Sequence, residues 1–429
     1  MRLCLIASKP TDSVILGFLP AAARLGLEVV LLTDQPEEHE RARARSRRLA
    51  RPGCPRSGAE PAAERDAGQA DGDGPPARFL GCDVWDAREL IGAIAELPAP
   101  HAIVSNSDHL QTQTALAAAY FGLPGKDWRS AMRAKNKSLM RRRLAEAGTE
   151  HVAAVPIRAG CHPPDGLRYP VVLKPAEGVA SEDVVLVGGP EELAGQCARI
   201  LARRPGETLL AEEYLPGELR TLETLGDGTR TWVLGGFRTT VSPPPYFIEE
   251  RLTWAAPAPD ASREHVLGAL GSLGVTFGAC HTEYVDGGRG TALIEVNDRL
   301  IGDHCDFVLS DLLGVDLFDL VLRVHLGESL PAEPPRPWGG TGHAVMDYVV
   351  ADRSGTLTAV PPAGARPTPP DVLLSFRPLR APGDHIVITH TNRDYLGVIS
   401  AIGTDATAVE AAVAAARSAE RWPIAGPRW

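Results

Sequence analysis

The sequence predicts an α/β (α+β) fold made of several packed subdomains, because its 429 residues exceed what one ordinary core accommodates. Residues 3–7 have the apolar run of a buried strand, residues 12–25 the pattern of a helix, and residues 28–33 the run of a second strand. This β-α-β opening predicts a parallel sheet with covering helices. From residue 209 to about residue 296 strands dominate, which predicts a largely antiparallel sheet in the second half of the chain.

Glycine and proline punctuation divides the rest of the chain into further regions. Within them, residues 136–147 and 306–327 have helical patterns, and residues 51–77, rich in Gly, Pro, Ala and charge, predict a flexible surface insertion. The predicted regions are an N-terminal α/β domain (1–123), a central region with a basic helix and a two-strand unit (124–208), a strand-rich core (209–330) and a mixed C-terminal subdomain (331–429).

Composition excludes several classes of protein. The formal charge is −10, with 44 basic and 54 acidic residues, and an acidic surface argues against nucleic acid or an anionic membrane as the main partner. Seven cysteines without a C-x-x-C pair fit reduced thiols rather than disulfides or a zinc site. No apolar run approaches the roughly 18 residues that span a membrane, and residues 1–8 are too short for a signal peptide. We therefore expect a cytoplasmic location.

Two neighbouring predicted strands carry the most informative polar residues. Side chains alternate between the faces of a strand, so Glu295, Asn297 and Arg299 share one face while Ile294 and Val296 are predicted to be buried on the other. His281 and Glu283 likewise share a face of the preceding strand.

The turn between these strands decides whether the two sets of side chains meet. Residues 286–290 contain three glycines and predict a five-residue turn, which places His281 opposite Glu295 with Glu283 on the diagonal. An even-length turn would move one set to the other face. Acids that lie close together favour a hard divalent cation between them, and an arginine fork suits a phosphate. The alternative is two solvated edge strands, but four aligned polar groups favour a metal–phosphate site.

Three further elements have the composition of a nucleotide site. Lys174 ends an apolar strand before a loop of small residues that includes Ser181, and backbone N–H groups of such a loop can approach phosphate oxygens. Glu212 and Glu218 flank Leu215 in an extended segment that can meet a purine edge and sugar hydroxyls.

Lys137 lies at a predicted helix start, where the helix dipole favours anions. Each of these elements also has an ordinary interpretation as a hairpin end, a turn or a solvated basic helix.

In their order, these elements resemble the ATP-grasp superfamily, and within it carboxylate–amine ligases of the L-amino acid ligase type. The resemblance runs from about residue 124 to residue 328, and the N-terminal unit resembles the domain that precedes the grasp fold. It implies an ATP-grasp fold with an N-terminal parallel α/β domain, a small lid subdomain and a C-terminal antiparallel-sheet domain. It also implies ATP and Mg²⁺ as cofactors, with Mn²⁺ as a substitute metal.

The resemblance further implies roles for individual residues. The nucleotide would contact Lys137, Lys174, Ser181, Glu212, Leu215 and Glu218. The metal would be held by Glu283, Glu295 and Asn297, and the transferred phosphoryl group would be stabilised by Lys174, Arg299 and, less closely matched, Arg238. Departures from the family pattern are Asp298 in place of a proline, a less glycine-rich run over residues 301–304, and an unusually acidic lid loop.

The activity that follows is formation of an amide bond through an acyl phosphate, with a small-molecule carboxylate and an amine as substrates. Residues 246–249, including Glu249, are predicted to form a loop over the second substrate or an ordinary hairpin connection. His281 or His304 can accept the amine proton, and His304 follows Gly302-Asp303 at the predicted substrate end.

Several alternatives stay open at this point. The same fold supports ligation to a thiol, carboxylation, kinase-like transfer, or a non-catalytic nucleotide-binding regulatory module. A homodimer is one further expectation. The Ala/Arg/Gly/Pro-rich composition is associated with GC-rich genomes, where such ligases often serve natural product biosynthesis.

Overall fold

A computed structural model describes residues 1–49, 77–159, 166–255, 260–368 and 371–426. The predicted insertion at 51–77 lies outside the described residues, apart from Ala77.

The N-terminal domain is the predicted parallel α/β unit. Its sheet has the order β3-β2-β1-β4, and all its pairings are parallel. Leu3, Leu5 and Leu31 are fully buried because helices cover the sheet. Its strands are β1 (Arg2–Ile6), β2 (Glu28–Thr33), β3 (Arg78–Gly81) and β4 (Ala102–Ser105). A π-helical turn (Ser13–Phe18) precedes α1 (Leu19–Arg24), followed by α2 (Pro36–Leu49), α3 (Ala87–Ala95), α4 (Gln111–Tyr120), α5 (Trp128–Lys135) and α6 (Lys137–Glu146).

A second four-stranded sheet contains the predicted two-strand unit. Two further strands, one from before and one from after the unit in sequence, are added beside its first strand. Its order is β5-β8-β6-β7, and its pairings are antiparallel. Because β8 pairs with both β5 and β6, this sheet extends past residue 208. Its elements are β5 (Ala154–Ile157), β6 (Val171–Pro175), β7 (Val185–Val187), α7 (Pro190–Arg203) and β8 (Leu209–Glu213).

The largest sheet has ten strands and joins the predicted core to the C-terminal region. Its order is β14-β13-β9-β11-β12-β15-β20-β18-β17, and β10 pairs with β9 at the side. Its first strands are β9 (Glu218–Asp227), β10 (Thr231–Gly235), β11 (Phe237–Val241), β12 (Glu249–Trp254), β13 (Phe277–Gly287) and β14 (Gly290–Asn297). The strands that follow are β15 (His343–Val350), β16 (Gly355–Leu357), β17 (Gly364–Thr368), β18 (Val372–Pro378), β19 (His385–Ile386), β20 (Tyr395–Gly403) and β21 (Ile424–Ala425), of which β16, β19 and β21 form a separate small sheet.

The helices of the second half are α8 (Asp260–Leu273), α9 (Cys305–Leu313), α10 (Leu317–His325) and α11 (Ala406–Ala419). The single helix predicted over 306–327 is wrong in one respect, because Gly314 adopts a φ of 64° and ends α9. Asp316 then caps α10 by accepting a hydrogen bond from the Asp319 backbone N–H. Among the described helices, none is long and apolar enough to traverse a lipid bilayer.

Candidate active site

A cavity of about 780 Å³ lies between the three larger sheets, and its wall includes residues from the N-terminal loop to the C-terminal region. The predicted site residues in its lining are Lys137, Lys174, Ser181, Glu212, Leu215, Glu249, Glu283, Glu295, Asn297, Arg299 and His304. Residues that are far apart in sequence therefore meet in one cavity of the size of a small-molecule site.

Glu218 and Arg238 are not part of this lining. The Arg238 Nε lies 2.7 Å from a Glu218 carboxylate oxygen, and the Arg220 Nε donates to the other oxygen at 2.5 Å. The structure thus brings these two predicted residues together as an ion pair outside the residues that line the cavity. A partly exposed pair of this kind contributes little to stability.

The β13–β14 hairpin presents its polar residues to the cavity in a different register from the predicted one. Glu283 pairs with Glu295 and His281 with Asn297, so the predicted pairing of His281 with Glu295 is wrong. The turn between the strands has two residues, Gly288 and Arg289, and not five.

A β-bulge explains why the acids still meet across an even-length turn. Tyr284 pairs with Leu293 while Glu283 pairs with Glu295, so Ile294 is the extra residue in β14. Without the bulge, Ile294 would lie opposite Glu283. Ile294 itself lines the cavity, which corrects the prediction that it is buried on the opposite face with Val296.

Each of the two acids has a cationic neighbour. The Lys137 ammonium donates to Glu295 at 2.9 Å and to the Gly178 carbonyl at 3.2 Å. The His281 Nε2 lies 3.4 Å from Glu283, and its Nδ1 lies 2.8 Å from Glu223. Although burial opposes it, the Glu223 and Glu283 carboxylates raise the pKa of His281 to about 10.

The residues Glu283, Glu295 and Asn297 suit a magnesium ion that is shared with a polyphosphate. The described residues contain no group of three or more His, Cys, Asp or Glu side chains placed to hold an ion by themselves. Mg²⁺ is usually bound by one or two carboxylates together with substrate phosphates and water, and this set offers two carboxylates and a buried amide. Burial is the main cause that raises the pKa of Glu249 to about 8, and the negative charge of Glu283 is the next. A cation bound by Glu283 would therefore relieve the repulsion between the carboxylates of Glu283 and Glu249.

Lys174 belongs to a buried network of charges. Its ammonium donates to Glu212 at 2.7 Å, and the Arg141 Nε donates to the other Glu212 oxygen at 2.6 Å. Arg141 also donates to Glu150 at 2.5 Å and to the Leu293 carbonyl at 2.5 Å. Both Glu212 oxygens therefore accept hydrogen bonds within the chain, and the carboxylate positions Lys174.

Sequence reasoning missed Arg141 and Glu150 in this network. A signal existed for the first, because Arg141 is four residues after Lys137 on α6, and residues at this spacing share one helix face. Burial opposes ionisation of Glu212, but the guanidinium of Arg141 and the ammonium of Lys174 lower its pKa to about 2.

Asp303 and His304, in the segment before α9, also line the cavity, as does Glu249 at the start of β12. Asp303 and His304 adopt positive φ angles of 53° and 70°, which non-glycine residues rarely do. The Asn392 side chain accepts a hydrogen bond from the Glu249 backbone N–H at 3.1 Å and donates to its carboxylate at 3.3 Å. Arg299 donates to the Leu300 carbonyl at 2.8 Å and lies 3.9 Å from Asp108.

Comparison with solved structures gives the fold its name. An L-amino acid ligase from Bacillus licheniformis superposes with a TM-score of 0.73 over 99% of both chains, at 20% identity. A phosphoribosylglycinamide synthetase from Anaerococcus prevotii superposes with a TM-score of 0.68 over 99% of both chains, at 12% identity. Both neighbours are ATP-grasp enzymes. The chain has the ATP-grasp fold.

A third neighbour with the ATP-grasp fold is the biotin carboxylase domain of the Hydrogenobacter thermophilus 2-oxoglutarate carboxylase, solved with MgADP, ADP and bicarbonate. It superposes with a TM-score of 0.66, at 15% identity, over 99% of this chain and 90% of that one. In sequence, the uncharacterized protein y4rH of Sinorhizobium fredii is 28% identical over an alignment of 319 positions, and the match covers 71% of this chain and 64% of that protein. The chain therefore matches less than two thirds of this relative's length. No protein-family model matches the chain.

The lid loop of this ATP-grasp fold, between β6 and β7, contacts both the segment before β12 and the C-terminal region. The Ser181 hydroxyl donates to the Phe247 carbonyl at 2.8 Å, and the Asn392 backbone N–H donates to the Ala180 carbonyl at 3.1 Å. Glu182 forms an ion pair with Arg393, and also one with Arg204. The acidity of the lid loop thus has a physical explanation, because Glu182 is paired with two arginines.

We expect Arg393→Gln to raise the KM for ATP by about twofold to fivefold with little change in kcat, because a partly exposed ion pair contributes about 0.2–1 kcal/mol to lid closure. Steady-state kinetics with varied ATP test this effect. Arg353→Gln is the matched control, since Arg353 pairs with Asp352 on the surface. Added salt should reduce the difference between Arg393→Gln and the unaltered chain, and an unchanged KM would argue against a role of this ion pair in closing the lid.

Proposed function

We propose that the chain is an ATP-dependent carboxylate–amine ligase that works through an acyl phosphate and releases ADP and phosphate. The observation that supports this most is the meeting, in one cavity, of buried lysines with two carboxylates and an amide on a hairpin. Lys137 and Lys174 are each only 4% exposed, and the opposing hairpin adds Arg299. The neighbouring structures of the L-amino acid ligase and the phosphoribosylglycinamide synthetase support the same class of reaction.

In this proposal the positive groups bind and neutralise the phosphates of ATP. Lys137 begins α6 and Lys174 lies on β6, and both side chains are held by carboxylates of the chain itself. Such preorganised charges stabilise the charge that develops during phosphoryl transfer without reorganisation. Arg299 lies beyond them at the end of β14, where its guanidinium would stabilise the transferred phosphoryl group.

Glu283, Glu295 and Asn297 would hold Mg²⁺, which neutralises the outer phosphates when it is bound. The substrate carboxylate would attack the γ-phosphorus in line, and an amine would then displace phosphate from the acyl phosphate to give an amide. Because an acyl phosphate hydrolyses readily, the lid must exclude water while the amine binds. The ion pairs of Glu182 with Arg204 and Arg393 would stabilise the lid in its closed position.

A screen for phosphate release over pairs of acids and amines tests the proposal. We supply the common L-amino acids and simple carboxylic acids in pairs with ATP and Mg²⁺, and separate the nucleotides after the reaction. ADP and phosphate should form only when both an acid and an amine are present, and EDTA should abolish their formation. Release of AMP and pyrophosphate, or ATP hydrolysis that is independent of both substrates, would contradict the proposal.

Carboxylation is the second candidate function, because the neighbour solved with bicarbonate shares the fold. It predicts that phosphate release depends on bicarbonate and an acceptor rather than on an organic acid and an amine. Repeating the screen in bicarbonate-depleted buffer separates the two functions. Amide formation should be unaffected by the depletion, whereas carboxylation should stop.

A further inference from the structure

A group of three polar side chains, Asp12, His304 and Arg377, joins three distant parts of the chain at the wall of the cavity. The His304 Nε2 lies 2.6 Å from the Asp12 carboxylate, on the loop after β1. Arg377, on β18, donates to the same Asp12 oxygen through two nitrogens, at 2.5 and 3.1 Å. Asp12 and His304 both line the cavity.

The two ring nitrogens of His304 have different surroundings. Two groups approach Nε2: the Asp12 carboxylate oxygen at 2.6 Å, which can only accept a hydrogen bond, and the Arg377 Nε at 3.2 Å, which also donates to Asp12 at 3.1 Å. Because the Asp12 contact is the shorter one and Arg377 can give its hydrogen to Asp12, we place the ring proton on Nε2, which leaves the lone pair of the neutral ring on Nδ1. In the described part of the chain, no hydrogen bond occupies Nδ1. A carboxylate that fixes the tautomer and stabilises the protonated ring is the arrangement by which proteins turn histidine into a general base.

The backbone supports the same conclusion. His304 is a non-glycine residue with a φ of 70°, and a hydrogen bond of 3.0 Å from the Tyr348 hydroxyl to the Asp303 carbonyl holds the preceding residue. Backbone strain at a cavity wall commonly positions a functional side chain.

His281, the other histidine that could serve, is not available. Its two nitrogens lie beside Glu223 and Glu283, and the ring is buried. Because each ring nitrogen lies beside a carboxylate of the chain, neither is open to a substrate amine.

We propose that His304 is the general base that deprotonates the amine substrate, and that Asp12 and Arg377 are its positioning residues. This inference rests on the proposed ligase function and goes beyond it by assigning the proton acceptor of the second half-reaction.

Amide formation with His304 as the base needs one proton transfer before the attack on the acyl phosphate and one after it. The ammonium form of the amine transfers one proton to His304 Nδ1, and the nitrogen lone pair then attacks the carbonyl carbon of the acyl phosphate. As the new C–N bond forms, the C–O bond to phosphate breaks and its electron pair leaves with the phosphate. The second proton of the nitrogen passes to the departing phosphate, and the imidazolium returns its proton to solvent.

Four ionisable groups face His304, namely Asp12, Asp303, Asp306 and Arg377. Asp12 stays ionised, because His304 and Arg377 outweigh burial and lower its pKa to about 2.

The test compares two nucleophiles in His304→Gln and the unaltered chain. Amino acids are ammonium ions at neutral pH and need a base, whereas hydroxylamine is largely uncharged and attacks the acyl phosphate unaided. We expect His304→Gln to lower amide formation from amino acids about a hundred-fold at pH 7, the usual contribution of a general base. Hydroxamate formation from the same acid with hydroxylamine should change less than about threefold.

A second variant, Asp12→Asn, tests the pH dependence of amide formation, which would not change if Asp12 had a purely structural role. Asp12→Asn removes the anion that stabilises the protonated ring, so the acidic limb of the pH profile for amide formation should shift to lower pH. If His304→Gln fails to fold, the pH profile of Asp12→Asn still tests whether His304 is the base. His385→Gln, an exposed histidine on β19, is the matched control.

Equal losses with both nucleophiles, or an unchanged pH profile in Asp12→Asn, would overturn the assignment of His304. If the unaltered chain makes neither hydroxamate nor ADP with any acid, the ligase proposal itself fails, and this inference fails with it.

Discussion

We expect Glu295→Gln to lower kcat for ADP formation by about a thousand-fold or more, near the upper end of what loss of one preorganised electrostatic group costs. Glu295 lies opposite Glu283 on the hairpin and also accepts a hydrogen bond from the Lys137 ammonium at 2.9 Å. The amide keeps the shape of the side chain but removes one of two charges available to Mg²⁺, and it leaves Lys137 without its nearest anion. The measurement is kcat for ADP release at saturating ATP and acid.

Glu264→Gln is the matched control, because Glu264 is exposed on α8. Raising the Mg²⁺ concentration should restore part of the activity of Glu295→Gln if weaker metal binding is the cause. A Glu295→Gln variant with the turnover of the unaltered chain would show that this carboxylate does not take part in the reaction.

We expect Arg141→Met to lower the free energy of unfolding by about 3–5 kcal/mol, the usual cost of removing one partner from a buried charge network. Arg141 pairs with Glu150 and Glu212, and the side chains of all three are at most 5% exposed. Without the guanidinium, two buried carboxylates remain with too little positive charge. Urea unfolding followed by circular dichroism measures the change.

Arg142→Met, the next residue on the same helix, is the matched control. The Arg142 side chain is 70% exposed and lies 3.7 Å from Glu146 one turn on, so its loss should cost less than about 0.5 kcal/mol. Equal effects of the two substitutions would contradict the importance of the buried network.

The pH dependence of the free energy of unfolding follows from the lowered pKa of Glu212. Its pKa falls from an ordinary value of 4.5 to about 2 in the folded chain, so it stabilises the fold above pH 4.5. That contribution is lost as the pH drops from about 4.5 to about 2. The difference in stability between Arg141→Met and the unaltered chain should therefore narrow across this window.

Local patterns predicted the strands that bury both faces, because long apolar runs have few alternatives. The predicted strand at 28–33 matches β2 residue for residue. The sequence also predicted that Glu283 and Glu295 lie close together on one face of the hairpin. The predicted turn length was wrong, but the bulge at Ile294 restores the common face. A bulge leaves no mark in the alternation of residues, so the register of the hairpin could not be obtained from the sequence.

The contacts that complete the cavity depend on tertiary packing. Asp12 and Arg377 are separated by 365 residues, and only the docking of the C-terminal strands against the N-terminal loop brings them to His304. Similarly, Arg393 reaches the lid because β20 and the turn before it continue the central sheet. No spacing rule connects residues at such separations in one sequence.

Transfer of ¹⁸O from the acid to phosphate tests the central claim most directly. A carboxylic acid labelled with ¹⁸O in both oxygens is incubated with ATP and an amine, and the released phosphate and nucleotides are examined by mass spectrometry. If the acid is activated as an acyl phosphate, each phosphate released should contain one ¹⁸O atom and the only nucleotide product should be ADP. Unlabelled phosphate, or ¹⁸O in AMP, would contradict the acyl-phosphate mechanism.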